Sequence, residues 1–167
     1  IKKKNKKLVE FIIKRKIPTE SELFEAVSTR DIEIVNLILK YNSKPSFVNQ
    51  KTMEGTVLHA AVTNDDIEIV KRLLSVQGID PSLKNRRNDS ALLIAINHNN
   101  NEIVEEIIKF YDSENNQFNS WVFYDCLFFL LSQIHQMHNK PVFPWNSVIR
   151  LLKIKSIDPN FSSVTTF

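Results

Sequence analysis

Apolar residues along this chain fall in helical bursts that come in pairs. In the stretch Gly55 to Ser82, Ile69, Val70, Leu73 and Leu74 stand at i, i+1, i+4 and i+5, which places them on one face of a helix with Lys71 outside the stripe. Ahead of them Leu58 and Ala61 mark a shorter first helix, and the polar run ending in Asp65 and Asp66 marks the turn between the two. Asp66 and Glu68 fall at the start of the second helix, where negative charge meets the positive end of the helix dipole.

The same pair recurs along the chain. At an offset of 34, Leu58, Ala61, Ile69, Val70, Leu73 and Leu74 map onto Leu92, Ala95, Ile103, Val104, Ile107 and Ile108. Going back by 35, Leu23, Ala26, Asp31, Ile32, Glu33, Ile34 and Val35 fall on identical residues, and Leu37 falling on Arg72 breaks the match. Val70, Arg72, Leu73, Leu74, Ile79, Asp80 and Pro81 return 78 residues later as Val148, Arg150, Leu151, Leu152, Ile157, Asp158 and Pro159, two periods plus an insertion of about ten residues. At an offset of 26, Leu8, Val9, Phe11, Ile12 and Ile13 match the second helix alone. Small Ala26, Ala61 and Ala95 let neighbouring first helices approach, and Leu23, Leu58 and Leu92 fill the space between layers. Neither pair can bury its stripe unaided, so each unit needs a neighbour.

Thr56, Val57, Leu58, His59, Ala60 and Ala61, with Glu68, Ile69, Val70, Leu73 and Leu74 behind them, resemble the ankyrin repeat, although Val57 stands where that family has proline. The resemblance implies an all-α fold, an ankyrin-type helical solenoid of stacked helix pairs with short hairpin fingers. It also implies that the box threonine caps the first helix and bonds the box histidine. Only Thr56 with His59 keeps both groups. Ser21 and Ser90 are left as caps, and Phe24 and Leu93 are expected to pack as apolar residues in place of the histidine. Gly55 and Gly78 are the only glycines, so Asn88 and Asn99 or Asn100 are expected to take left-handed turns.

The chain then reads as a single domain over 1–167: a half-repeat at 1–18, repeats at about 19–46, 47–80 and 81–114, an irregular fourth repeat with an insertion at about 115–158, and the start of a further unit at 159–167. Lys2 to Lys16 forms the lone helix. Fingers are expected at Phe47 to Thr56 and Leu83 to Ser90, the insertion at Ile134 to Pro144, and Cys126 in the small alanine position of the fourth unit. The stack is expected to be open at both ends.

Composition narrows the function. A chain of 167 residues with 43% hydrophobic and 25% charged residues can bury a core. The formal net charge of +3 owes much to Lys2, Lys3, Lys4, Lys6 and Lys7, which leaves the body close to neutral and argues against nucleic acid or an anionic membrane as its main partner. One cysteine allows no internal disulfide and suits a reducing compartment, so the expected location is intracellular, in the cytoplasm. The longest apolar run, Trp121 to Leu131, falls short of the roughly 18 residues that cross a bilayer and carries Asp125.

Candidate chemistry is thin. His135 and His138 near Cys126 lack the second ligand pair that a zinc site requires. Cys126 with His135 has no orienting group or oxyanion hole at a known spacing, and His59 belongs to the box. Two glycines cannot form a phosphate-binding loop. No enzyme activity, cofactor, metal or small-molecule substrate is therefore expected. Trp121, Phe123, Phe128, Phe129, Phe143 and Trp145 read as packing of the irregular unit.

The reading is a scaffold for protein–protein interaction. The resemblance places its partner on the concave face, which by position means Thr52, Met53, Glu54, Arg86 and Arg87 on the fingers and Thr63, Asn64, Ile94, Asn97 and His98 on the first helices. Two other readings are a regulatory or targeting segment of a larger enzyme, and a basic adaptor for membrane or nucleic acid through the Lys2 to Lys16 segment. The register itself is testable by denaturation. Leu58→Ala should cost about 2–5 kcal/mol through a buried cavity, whereas Lys71→Ala should be nearly neutral; similar losses would mean that the core face is misplaced.

Overall fold

The computed structural model describes residues 18–113 together with Tyr124, Cys126 and Phe128. Among them lie seven helices: α1 (Glu20–Ser28), α2 (Ile32–Tyr41), α3 (Pro45–Val48), α4 (Val57–Thr63), α5 (Ile67–Leu74), α6 (Ala91–Asn97) and α7 (Asn101–Ser113). Extended pairing among the described residues is limited to two isolated antiparallel bridges, Thr52 with Gly55 and Lys84 with Ser90. The chain divides into two compact units, 1–107 and 108–167. In the second, Cys126 is buried and Phe128 is exposed. The lone helix at Lys2 to Lys16, the insertion and almost all of the irregular fourth unit lie outside the described residues.

The first unit is the expected stack. First helices α1, α4 and α6 pack in succession, α1 on α2 and α4 on α5 form hairpins, and α2 meets α5 behind them. Leu23, Leu58, Leu92, Ala26, Ala61 and Ala95 are all buried, none more than 4% exposed, so the small residue on each first helix does bring its neighbour close. Val35, Ile38 and Leu39, then Ile69, Val70, Leu73 and Leu74, then Ile103, Val104 and Ile107, form the matching buried stripe of the second helices. Where Leu37 gives way to Arg72, the arginine lies half-buried with its Nε donating to Asn36 Oδ1 of the preceding unit at 2.7 Å. Lys71 is exposed and paired with Glu102 at 3.3 Å across the outer surface.

One turn is built three times. The backbone N–H of Asp65 donates to Val62 O and that of Asp66 to Ala61 O, the two bonds that close a helix through a left-handed residue. Arg30 and Asp31 repeat this on Val27 and Ala26, and Asn99 and Asn100 on Ile96 and Ala95. The left-handed residues are accordingly Arg30 (φ 57°), Asp65 (φ 53°) and Asn99 (φ 55°). Asn88 (φ 66°) supplies the corresponding conformation in the second finger. The residue after each left-handed turn caps the next helix: Asp31 Oδ1 accepts from Glu33 N and Ile34 N, Asp66 Oδ1 from Ile69 N, and Asn100 Oδ1 from Ile103 N, all at 3.0–3.1 Å. Asn99 is thus the glycine substitute and Asn100 the cap. Asp65, in the turn that the sequence marks between the two helices, occupies its left-handed position.

The first-helix caps differ from the reading at one place. Ser90 caps α6, accepting from Leu93 N at 3.2 Å, but Ser21 lies inside α1, whose cap is Thr19. The reason is Glu22, which stands three residues after Thr19 and accepts from its backbone N–H at 2.7 Å, completing a capping box that starts the helix two residues early. Leu93 is buried as expected, while Phe24 is only half-buried. Phe47 and Val48 belong to α3, so the first finger is tighter than the sequence suggests.

Proline at the first position of α3 and both glycines join successive units. A Cβ on Gly78 (φ 79°) would sit 2.6 Å from Pro45 Cγ, and the Asn49 amide clamps the same loop, donating to Gly78 O at 2.8 Å and accepting from Asp80 N at 2.9 Å.

The left-handed turns generate a stability test. Arg30→Gly removes the Cβ strain at a position whose backbone already suits glycine, and should raise stability by about 1 kcal/mol. Asp65→Gly should gain less, because Asp65 Oδ1 holds Asn100 Nδ2 at 3.1 Å and His98 Nδ1 at 3.3 Å. Denaturation midpoints in urea measure both, and an Arg30→Gly loss would contradict the strain argument.

Candidate functional site

The site is organised from beneath by His59, 2% exposed on α4. Its Nδ1 lies 3.1 Å from Thr56 N and 2.8 Å from Thr56 Oγ1, and its Nε2 lies 3.1 Å from the carbonyl oxygen of Asp89 in the next unit. A backbone N–H can only donate and a carbonyl can only accept. Nδ1 is therefore the acceptor and Nε2 carries the proton, which fixes the neutral tautomer. Gly55 (φ 115°) lets the backbone pass over the ring, since a Cβ there would come within 2.9 Å of His59 Cγ. The expected pairing of Thr56 with His59 is present, and it reaches further than the box, into the second finger.

That finger is closed by the Lys84–Ser90 bridge and held from inside by Asn85. Asn85 Oδ1 accepts from Arg87 N at 2.8 Å and Asp89 N at 3.0 Å, while its own N–H donates to Asp89 O and its carbonyl accepts from Asn88 N. Arg86 and Arg87 stand exposed at the tip. The first finger turns at Thr52, whose Oγ1 donates to Gly55 O at 2.9 Å and accepts from Glu54 N at 3.2 Å, leaving Met53 66% exposed.

Between the two fingers and the exposed side of α4 and α6 is a concavity of about 600 Å³. Eight of the residues picked out from sequence line it: Met53, Glu54, Thr63, Arg86, Arg87, Ile94, Asn97 and His98. Ile94 is half-buried in its floor rather than fully exposed. Two picked residues are used elsewhere. Thr52 is spent on its own turn, and Asn64 donates through Nδ2 to Val27 O of the preceding unit at 3.1 Å, tying adjacent first helices together. Ala60, Asn85 and Asp89 also line the concavity. Ala60 was legible as the residue one helical turn before Asn64 and Thr63, and Asn85 as the polar opening of a turn that runs Asn85, Arg86, Arg87, Asn88. His98 sits at the rim within 3.3 Å of the Asp65 carboxylate.

Among the described residues no group of three or more His, Cys, Asp or Glu side chains is placed to hold a metal ion. No helix among them is long and apolar enough to cross a membrane. His135 and His138 lie outside the described residues.

His59 should make stability depend on pH. Burial lowers its pKa from the ordinary 6.5, and although the Asp89 carbonyl works against this, the charge of Lys51 adds to it. The unfolded chain, titrating near 6.5, then takes up a proton that the folded chain refuses. The stabilisation is complete above that value and is lost as pH falls below it toward the folded pKa, with a slope of at most about 1.4 kcal/mol per pH unit. His59→Gln should be less stable at pH 7.5, and its deficit against the native chain should shrink by pH 5.5. Parallel stability curves for the two proteins would show that His59 does not titrate in this way.

The comparisons with known proteins agree with this geometry. A family model described as ankyrin repeats, three copies, matches residues 23–120. The NAD-dependent deacetylase sir2B of Dictyostelium discoideum is 28% identical over 95 residues, which are 56% of this chain and 12% of that protein. With stacked helix pairs, a box histidine that joins one unit to the finger of the next, and a family match over more than half its length, this chain belongs to the ankyrin-repeat family.

Proposed function

We propose that this chain is a scaffold that binds a protein partner on the concavity between its fingers and first helices, and that it carries out no chemistry of its own. Ankyrin repeats are protein-interaction modules. The observation that carries the finer reading is the convergence of Met53, Arg86, Arg87 and Ile94 from two successive units on one depression. An exposed methionine and a half-buried isoleucine beside two arginines form the mix of apolar and guanidinium groups in which binding energy concentrates at protein interfaces. The surface is rigid before any partner arrives, because the backbone of each finger is bonded internally, and rigidity lowers the ordering cost of association.

The match to a stretch of sir2B supports a second reading, in which the repeats serve as a targeting or regulatory segment within a larger enzyme. Docking on the concavity belongs to both readings. The full reading frame and an assay of its product for deacetylase activity separate them.

The docking face is tested with the chain as bait in lysate of its source cell, beside an Arg86→Ala, Arg87→Ala, Ile94→Ala triple variant, with capture quantified by mass spectrometry. At least one protein should be retained by the native chain and reduced fivefold or more by the triple variant. Equal capture by both baits would remove the partner from this face.

A further inference from the structure

We infer that the occupant of the concavity is a peptide segment of a protein that carries carboxylates on the side facing Arg86 and Arg87 and an aliphatic side chain that reaches Ile94 and Met53; this rests on the docking face proposed above. Charge is distributed unevenly across the depression. Arg86 and Arg87 occupy the tip of the second finger, and among the described residues neither guanidinium is paired with a carboxylate. They are nevertheless presented in a fixed place. Asn85 Oδ1 accepts from the backbone N–H of Arg87 and of Asp89, Asn88 adopts a left-handed conformation to close the loop, and His59 holds Asp89 from the core below.

Two adjacent cations on a rigid loop are matched by carboxylates, which accept both guanidinium forks at once. Between them and the first finger, Ile94 and Met53 offer apolar surface in the same depression. Glu54 stands on the first finger and Asp89 beside the arginines. Asp89 faces either ligand alike, but a uniformly anionic strand such as nucleic acid would also meet Glu54 on the first finger, whereas a peptide can keep its acidic residues at the other end. The charges therefore favour a peptide and orient it, acidic end to the second finger.

The test selects random twelve-residue peptides displayed on phage against the immobilised chain, then measures the enriched peptides by calorimetry. Enriched peptides should carry Asp or Glu within four residues of Leu, Ile, Val or Met. They should weaken at least tenfold against Arg86→Glu, Arg87→Glu, and recover when their own acidic residues are changed to lysine. Both substituted positions are exposed, and circular dichroism checks that the variant is folded. Asn97→Trp, an exposed position that would fill the depression, should abolish binding of the same peptides. Peptides that are blocked by Asn97→Trp but show no acidic preference and no loss on charge reversal would overturn the inference while leaving the docking face intact. Peptides indifferent to Asn97→Trp, or no enrichment at all, would overturn both. Displacement of the peptides by a twelve-nucleotide single-stranded DNA at equal charge would also overturn the inference in favour of a nucleic-acid ligand.

Discussion

A helix of seven residues has no stability of its own in water, because nucleation costs more than two turns of hydrogen bonds return. α4 and α6 are that short. They exist because each is held by its neighbours, α4 between α1 and α6 with α5 behind it and α6 against α4, and the rest of the first unit follows from keeping that cover close. Alanine at 26, 61 and 95 sets the approach of the first helices, the leucines at 23, 58 and 92 fill the layers between them, and the second helices close the back. The stability of any one unit therefore belongs in part to its neighbours, as nearest-neighbour stacking requires.

Packing alone leaves polar groups to be satisfied, and here they are satisfied across units. Asn64 reaches back to Val27 O, Arg72 reaches back to Asn36, and Asn100 with His98 meets Asp65, while Asn49 ties the two ends of its own repeat at Gly78 and Asp80. His59 is the most buried of these ties and the one that joins the core to the second finger. Its neutral ring satisfies a backbone donor within its own unit and a backbone acceptor in the next, so one side chain carries rigidity from the stack into the second finger. The same desolvation that makes the ring a poor base makes it a good strut.

The periodic part of this arrangement was legible because identical residues at a fixed offset can mean only repeated structure. Leu58 on Leu92, Asp31 on Asp66 and the Thr56–His59 box all held their roles. Three features do not follow from the periodicity, each for a local reason. Thr19 displaced Ser21 as a cap because Glu22 completes a capping box, a signal visible in the sequence but outvoted by alignment to Thr56. Arg30 and Asp65 take left-handed turns although neither is glycine or asparagine, because the two closing bonds of the helix end and the cap on the next residue fix the backbone whatever the side chain. Asn64 was placed on the concave face by register, but the Val27 carbonyl at the end of α1, which already accepts from Arg30 N, has a second lone pair within reach of the Asn64 amide and draws it inward.

The distinction between Asn64 and Arg86 shows how such a fold separates side chains that hold the stack from side chains left at its surface. Side chains that can both donate and accept at short range, Thr52, Asn49, Asn64, Asn85 and Asn100, are engaged with backbone groups or with the next turn. The long cations of the second finger are too far out on the loop to serve in this way, and their reach places them over the depression instead. A residue at the finger tip is thereby freed from structural duty by the asparagine beneath it. The exposed and half-buried positions 53, 86, 87 and 94 can vary without touching Leu58, Ala61 or His59, and that independence lets one stack present many different surfaces.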